Sequence, residues 1–441
     1  MPEQFRKSIT FAFGNDDSGA MKIFKFGGGI LQTAADVSKI PGILRKFPGE
    51  PLLIVISAFG KTTNAIEELI ASRFNRDGVP GEILNRIITY HREIFKDLFK
   101  EDRLEAHHQL EALITDFKSA ASDSPTTSFA EFYDSVIGYG ELISSLVVHH
   151  AIRQAGVESD WVDVRQVLKT DSTFRDAKID WAASRKNAEK FIKPLIDSKK
   201  RPVIVTQGFI ASDLQGRPTS LGREGSDYTA AIFAHLLDAG SVIIWKDVPG
   251  VLNADPKHFP QAVRLDEISY AEATELAYYG AKVIHPKTIK PLQNKNIPLY
   301  VRPFLHPDEP GTLIHANPPS AQYIPSFIFK SNQALISISD RELSFVNEQM
   351  LSEVFGILAR FSIHMNLIQN SALTLTFCID DHPDLRDMLA ELQRHYSVRY
   401  NQALELITIR HFNEKAVEHV LRGREVLLEQ QNRTVVQYVI R

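Results

Sequence analysis

The chain has 441 residues, 44% hydrophobic and 24% charged, with a formal net charge of -4. That length exceeds one ordinary hydrophobic core and implies two or three domains. The near-balanced charge gives no global pull toward nucleic acid or an anionic membrane, so any anion must be held by local donors. One cysteine, Cys378, excludes an intrachain disulfide and a cysteine metal cluster and suits a reducing, cytoplasmic setting.

No apolar run is long enough to span a bilayer. Residues 1–20 carry acids and Gly14 where a signal peptide needs an apolar centre, and they read as an extension or as the product of a misplaced start before a body that begins at Met21. From there, strands are predicted at 22–26, 52–57, 203–207, 242–245 and 298–301, apolar on both faces as buried parallel strands are. Helical patterns fall between them, at 34–45, 80–118 and 132–154, with a loop at 121–127. Strand and helix in alternation predict an α/β fold, a parallel sheet covered on both sides.

The breaker-rich stretch 315–320 closes this domain. Beyond it come a strand at 335–339, a helix at 350–361, strands at 365–369 and 373–379, a helix at 385–394 and a strand at 398–401. This is the β-α-β-β-α-β order of a ferredoxin-like α+β module. A shorter copy follows: strand 405–410, helix 414–421, and strands 425–428 and 434–440. Two such modules suggest a sensing or dimerising region.

Several constellations carry chemistry. In Phe24-Lys-Phe-Gly-Gly-Gly29 a strand ends in a lysine, and the glycines let peptide N–H groups approach a phosphate beside Lys25; the same residues also make a tight turn. Gly60-Lys61-Thr62 invites a P-loop reading, but that motif needs a glycine where Val55 stands. What remains is a hydroxyl-lined turn suited to a small polar substrate, unless Ser57 and Thr63 only cap a helix starting near Ala65. Glu141, in the first turn of an apolar helix, complements the helix dipole or pairs with a substrate ammonium.

The most informative stretch is Thr219-Ser-Leu-Gly-Arg-Glu-Gly-Ser-Asp-Tyr-Thr229. Gly222 and Gly225 free the backbone, Ser226 is placed as an N-cap, and Arg223 offers a planar fork for a carboxylate. Asp227, in the first turn of the following helix, is placed to orient reacting groups or to help hold a metal-nucleotide. Lys246 and Lys257 border a turn-rich loop and suit phosphates. Ser269 and Glu272 form a capping box whose helix ends at Gly280. His285 reads as structural, and the pairs His107-His108 and His149-His150 point to different helix faces. No metal-ligand spacing appears.

Together, in order, Lys25-Phe-Gly-Gly28, Ser57-Ala-Phe-Gly-Lys-Thr-Thr-Asn64, Gly140-Glu141, Ser220-Leu-Gly-Arg-Glu-Gly-Ser-Asp227, Lys246-Asp-Val-Pro-Gly250, Ala277-Tyr-Tyr-Gly-Ala-Lys-Val-Ile-His-Pro286 and Pro310-Gly-Thr-Leu-Ile314 resemble the aspartokinase signatures of the amino-acid kinase superfamily. The resemblance implies a three-layer catalytic domain at 21–315. It also implies a regulatory region at 330–441 made of two ACT-like modules, at about 330–402 and 403–441. It implies ATP-dependent phosphorylation of the L-aspartate side chain, at the head of the lysine, threonine and methionine routes. A sibling kinase with another substrate and an ACT-based regulatory pseudokinase are the alternatives.

By the same resemblance, Lys25 and Asp227 are catalytic, and Ser57, Thr63, Glu141, Arg223 and Ser226 hold aspartate. Gly27, Gly28, Lys246, Asp247, Leu252, Lys257, Lys282 and Val283 line the nucleotide site. Mg²⁺ accompanies ATP, the chain is a monofunctional homodimer, and an amino-acid effector binds the ACT modules. There are departures. Gly29-Ile30 replaces a small or hydroxyl residue followed by Ser, and Glu224 replaces a common glycine. Asn370-Ser371-Ala372 stands where lysine-sensitive members carry Thr-Ser-Glu, which speaks against lysine feedback.

Overall fold

The computed structural model describes residues 20–99, 104–122, 128–198, 203–281, 284–318, 324–342 and 344–441. These form two compact units. The first runs to Val251 and takes in Arg264–Thr274 and residues 284–318. The second holds Leu252–Val263, residues 275–281 and residues 324–441.

Eleven strands of the first unit are β1 Lys22–Phe26, β2 Leu52–Ile56, β3 Asp160–Val162, β4 Lys169–Thr170, β5 Val203–Gln207, β6 Ile210–Asp213, β7 Pro218–Ser220, β8 Ser241–Lys246, β9 Glu267–Ser269, β10 Leu299–Pro303 and β11 Thr312–His315. Eight of them make one sheet in the order β3-β5-β2-β1-β8-β10-β11-β9. The run from β3 to β10 is parallel throughout, and only β10 with β11 is antiparallel. β1, β2 and β5 are buried at every position, as helices on both faces require. The fold class read from the alternating pattern is the one observed.

The predicted helices divide where their sequences break. The 34–45 pattern becomes Ala34–Val37, with a Thr33–Asp36 capping box, and Ile40–Leu44, which a proline opens. The 80–118 pattern is two helices, Pro80–Leu98 and Leu104–Ser122. Helix α1, Thr62–Asn75, follows β2. The 132–154 pattern splits at Gly138 into α2 Phe129–Ile137 and α3 Tyr139–Gln154. A Cβ on Gly138 would lie 2.9 Å from Ile210 Cγ2, so the chain turns there against β6. Helix α4, Gly225–Leu236, completes the frame of the site.

The second unit is an antiparallel sheet flanked by helices. Its strands are β12 Ser326–Ser339, β13 Met365–Asn370, β14 Leu375–Asp380, β15 Ser397–Arg410, β16 Val426–Gln431 and β17 Val435–Ile440, in the order β13-β14-β12-β15-β17-β16. Its helices are α5 Glu348–Arg360, α6 Leu385–His395 and α7 Glu414–Leu421. The strands expected separately at 398–401 and 405–410 are one strand, and β12 reaches back to Ser326. Both long strands shift register midway, where Asn332 and Ala403 have φ of 55° and 56°. Ser326–Lys330 pairs with Leu406–Arg410, and Ser337–Ser339 with Ser397–Arg399. β12 and β15 therefore run through both halves of this one sheet.

Candidate active site

Strands β1 and β8 are neighbours, and each brings a lysine toward the carboxyl edge of the sheet. The Lys25 ammonium lies 2.6 Å from Asp227 Oδ1, and that of Lys246 3.6 Å from Asp227 Oδ2. Asp227 stands in the first turn of α4 and is buried. Burial alone would raise its carboxyl, but the charges and hydrogen bonds of Lys25 and Lys246 outweigh that and hold it below the usual range. Two lysines around one carboxylate leave surplus positive charge, which suits phosphoryl oxygens.

A cleft of about 600 Å³ opens here, and Lys25, Ser57, Glu141, Arg223, Ser226 and Lys246 all line it. Gly28 lines it as well, under a steric constraint. A Cβ on Gly28 would meet the Ala58 carbonyl oxygen at 2.3 Å, so the glycine turn after β1 lies directly on the turn after β2. The Gly60 amide seals that contact by donating to the carbonyls of Gly28 and Leu31, both at 3.0 Å.

Glu141 sits in the first turn of α3 and is 2% exposed. Its Oε1 accepts a long bond from the Ala58 amide, 3.4 Å, and its Oε2 is buried with no hydrogen-bond partner among the described residues. Burial pushes the carboxyl up to about 8, against the lowering effects of the Glu141 and Ala58 backbone amides. An acid left in this state is poised for a cation. Arg223 is exposed at the rim and has no ion pair among the described residues, so its guanidinium faces the cleft free to take a carboxylate.

Two capping assignments are corrected. Helix α1 begins at Thr62, and no side chain among the described residues caps it, so Ser57 and Thr63 are cleft-lining hydroxyls rather than caps. Helix α4 begins at Gly225 with Glu224 at the N-cap, in a left-handed conformation (φ 51°), so Ser226 is inside the helix. The reason is close packing: a Cβ on Gly208 would fall 2.5 Å from Ser226 Cβ, and the Phe209 amide donates to Thr229 Oγ1 at 3.0 Å. The end of β5 presses the first turn of α4 into place. His285 caps the helix Pro286–Gln293 through Nδ1, a structural role.

The expected nucleotide residues are distributed. Gly27, Gly28, Lys246 and the exposed Asp247 belong to the first unit, and Leu252 and the exposed Lys257 to the second. Lys282 and Val283 lie outside the described residues. Sequence reasoning passed over Glu67, Tyr133, Arg175 and Phe209, which also line the cleft, and Asp134 behind it. Phe209 carried a usable signal, since it follows the carboxyl end of a buried strand. The others sit in segments whose proximity to the motifs is decided only by folding.

The amino acid kinase family model matches residues 20–303. The lysine-sensitive aspartokinase 3 of Escherichia coli K12 is 33% identical over 371 residues, covering 81% of this chain and 80% of its own. This chain is an aspartokinase of the amino acid kinase family. The crystal structure of E. coli aspartokinase III with aspartate and ADP superposes with a TM-score of 0.79 at 29% identity, over 95% of this chain and 96% of that one. The aspartate kinase of Clostridium acetobutylicum, 20% identical, shares the fold with a TM-score of 0.74 over 95% and 96% of the two chains. The family's reaction, ATP-dependent phosphorylation of aspartate in amino-acid biosynthesis, is therefore this chain's activity.

Proposed function

We propose that the cleft around Glu141, Arg223 and the Lys25–Asp227–Lys246 cluster is where the γ-phosphoryl of ATP passes to the side-chain carboxylate of L-aspartate, giving 4-phospho-L-aspartate. The observation that carries the assignment is the pairing of unlike sites in one cavity. A buried carboxylate oxygen and a guanidinium, both without a partner among the described residues, suit an α-amino acid, and the lysine-rich cluster beside them suits phosphate.

Arg223 takes the α-carboxylate and Glu141 the ammonium, while the hydroxyls of Ser57, Thr63 and Ser226 orient the reacting carboxylate. That carboxylate is ionised at neutral pH and needs no general base. Lys25 stabilises charge on the transferring group, and Asp227 holds Lys25 and Lys246 at the required positions. Gly27, Gly28, Lys246, Asp247, Leu252, Lys257, Lys282 and Val283 are assigned to the nucleotide. No group of three metal-ligating side chains occurs among the described residues, and Asp227 is already engaged by two lysines, so the residues fit a Mg²⁺ carried on the ATP phosphates. When bound there it neutralises phosphate charge.

The second unit, the regulatory region, is assigned an amino-acid effector and a homodimeric partner, supported by exposed apolar side chains such as Phe345, Ile368 and Tyr400. The buried free Cys378 accords with a cytoplasmic setting. The test is to trap the acyl phosphate as a hydroxamate with ATP and Mg²⁺. Product from L-aspartate supports the reading. Product only from another amino acid, or none from any, overturns it.

A further inference from the structure

We propose that Arg175 is a second carboxylate-binding arginine of this cleft, acting beside Arg223 on the α-carboxylate of the amino-acid substrate, with buried Asp134 positioning both. The proposal rests on the assignment of Arg223 to that carboxylate. Arg175 lines the same cleft, is exposed, and makes no ion pair among the described residues. Its backbone is left-handed at φ 71°, where a glycine would sit without strain. Such strain in a long charged residue persists where the side chain has work in a site. The guanidinium carbon lies over the rings of Tyr133, 4.8 Å, and Phe129, 5.3 Å, so its charge rests against an aromatic wall, and its N–H groups suit a planar acceptor. Glu67, which also lines the cleft, already accepts the Tyr133 hydroxyl at 2.7 Å.

Asp134 connects the two arginines. It is 1% exposed; its Oδ2 accepts the Arg175 amide at 2.9 Å and the Ser220 amide at 2.9 Å, and its Oδ1 accepts the Ser220 hydroxyl at 2.5 Å. Ser220 ends β7, three residues before Arg223. The two loops also touch directly, since a Cβ on Gly222 would lie 3.3 Å from the Arg175 carbonyl oxygen. One buried carboxylate therefore ties both arginine-bearing loops to the end of α2. Two guanidinium groups at one rim select a substrate with a free α-carboxylate.

Steady-state kinetics with L-aspartate and with its α-amide, L-isoasparagine, test this. Arg175→Gly also relieves the left-handed backbone, so it keeps or raises Tm and separates loss of the guanidinium from misfolding. It is expected to raise the aspartate KM by about 10- to 100-fold, leave the ATP KM unchanged and barely affect the amide, the loss typical of one charge-assisted contact. Arg175→Lys recovers little, because an ammonium lacks the fork. An unchanged aspartate KM, or an equal loss for aspartate and amide, overturns the role. Arg223→Ala separates the two levels. If it also spares the aspartate KM, the reading of the cleft itself falls; if it alone raises that KM, only the Arg175 proposal falls. Asp134→Asn is expected to reduce the discrimination between aspartate and amide. A lower Tm with discrimination intact would remove Asp134 from the proposal.

Discussion

Replacing Glu141 by glutamine probes the amino-acid end of the cleft through pH. With its carboxyl near 8 in the free enzyme, Glu141 holds its proton at neutral pH, and an ammonium substrate must displace that proton to gain an ion pair. The fraction already ionised is roughly one part in a hundred at pH 6 and one half at pH 8, each unit being worth about 1.4 kcal/mol. The aspartate KM of the wild type should therefore fall about 50-fold between pH 6 and pH 8, while the ATP KM stays flat. Glu141→Gln should abolish that dependence and leave the KM high throughout.

Stability supplies a second readout with a definite sign. The carboxyl is raised from 4.5 to about 8, so below pH 4.5 it is protonated in both states and contributes no pH dependence. Between these values the unfolded chain ionises while the folded chain does not, and stability falls as pH rises, levelling off above about 8. Melting curves across this window should show the decline in the wild type and lose this component in the glutamine variant. A flat wild-type aspartate KM from pH 6 to 8, or a slope that survives in Glu141→Gln, would refute the reasoning.

Other substitutions give independent checks. Asp227→Asn removes the carboxylate that holds Lys25 and Lys246, and kcat should drop by about 100-fold or more with little change in the aspartate KM; an effect confined to KM would count against its placement. Gly28→Ala should cost roughly 1–3 kcal/mol of stability by urea unfolding, because its Cβ meets the Ala58 carbonyl. Gly29→Ser, with no described atom within 4 Å of its Cβ, should fold normally, within about 0.5 kcal/mol, and lower the ATP KM through its added hydroxyl. Glu224→Gly should raise stability by about 0.5–1 kcal/mol, since glycine adopts φ 51° without a Cβ clash; an unchanged unfolding midpoint would show that Glu224 makes a compensating contact.

Local chemistry made much of this protein readable in one dimension. The five buried strands announced themselves because a parallel strand covered on both faces must be apolar throughout, and Lys22–Phe26 and Val203–Gln207 appear at their expected bounds. Lys25, Glu141, Arg223 and Asp227 stood out because each lies at an element boundary marked by glycine, where backbone approach and helix dipoles operate over a few residues. Helix starts were less readable. Ser226 has the chemistry of a cap, yet Gly208 lets β5 press against it and the helix is capped two residues earlier, at Glu224, so packing overrode propensity.

Local patterns in the chain were enough for the alternating α/β order, the small α+β region after it and the residues that carry charge into the site. Those signals depend on neighbours within one turn or one strand. The tertiary structure alone decided that Lys25 and Lys246, 221 positions apart, converge on one carboxylate, because β1 and β8 pair only in the folded sheet. It alone brought Asp134 and Arg175 to the rim occupied by Arg223, and threaded β12 and β15 through both halves of the second sheet. Contacts between distant segments are set by which faces bury against one another, and no local pattern encodes that choice.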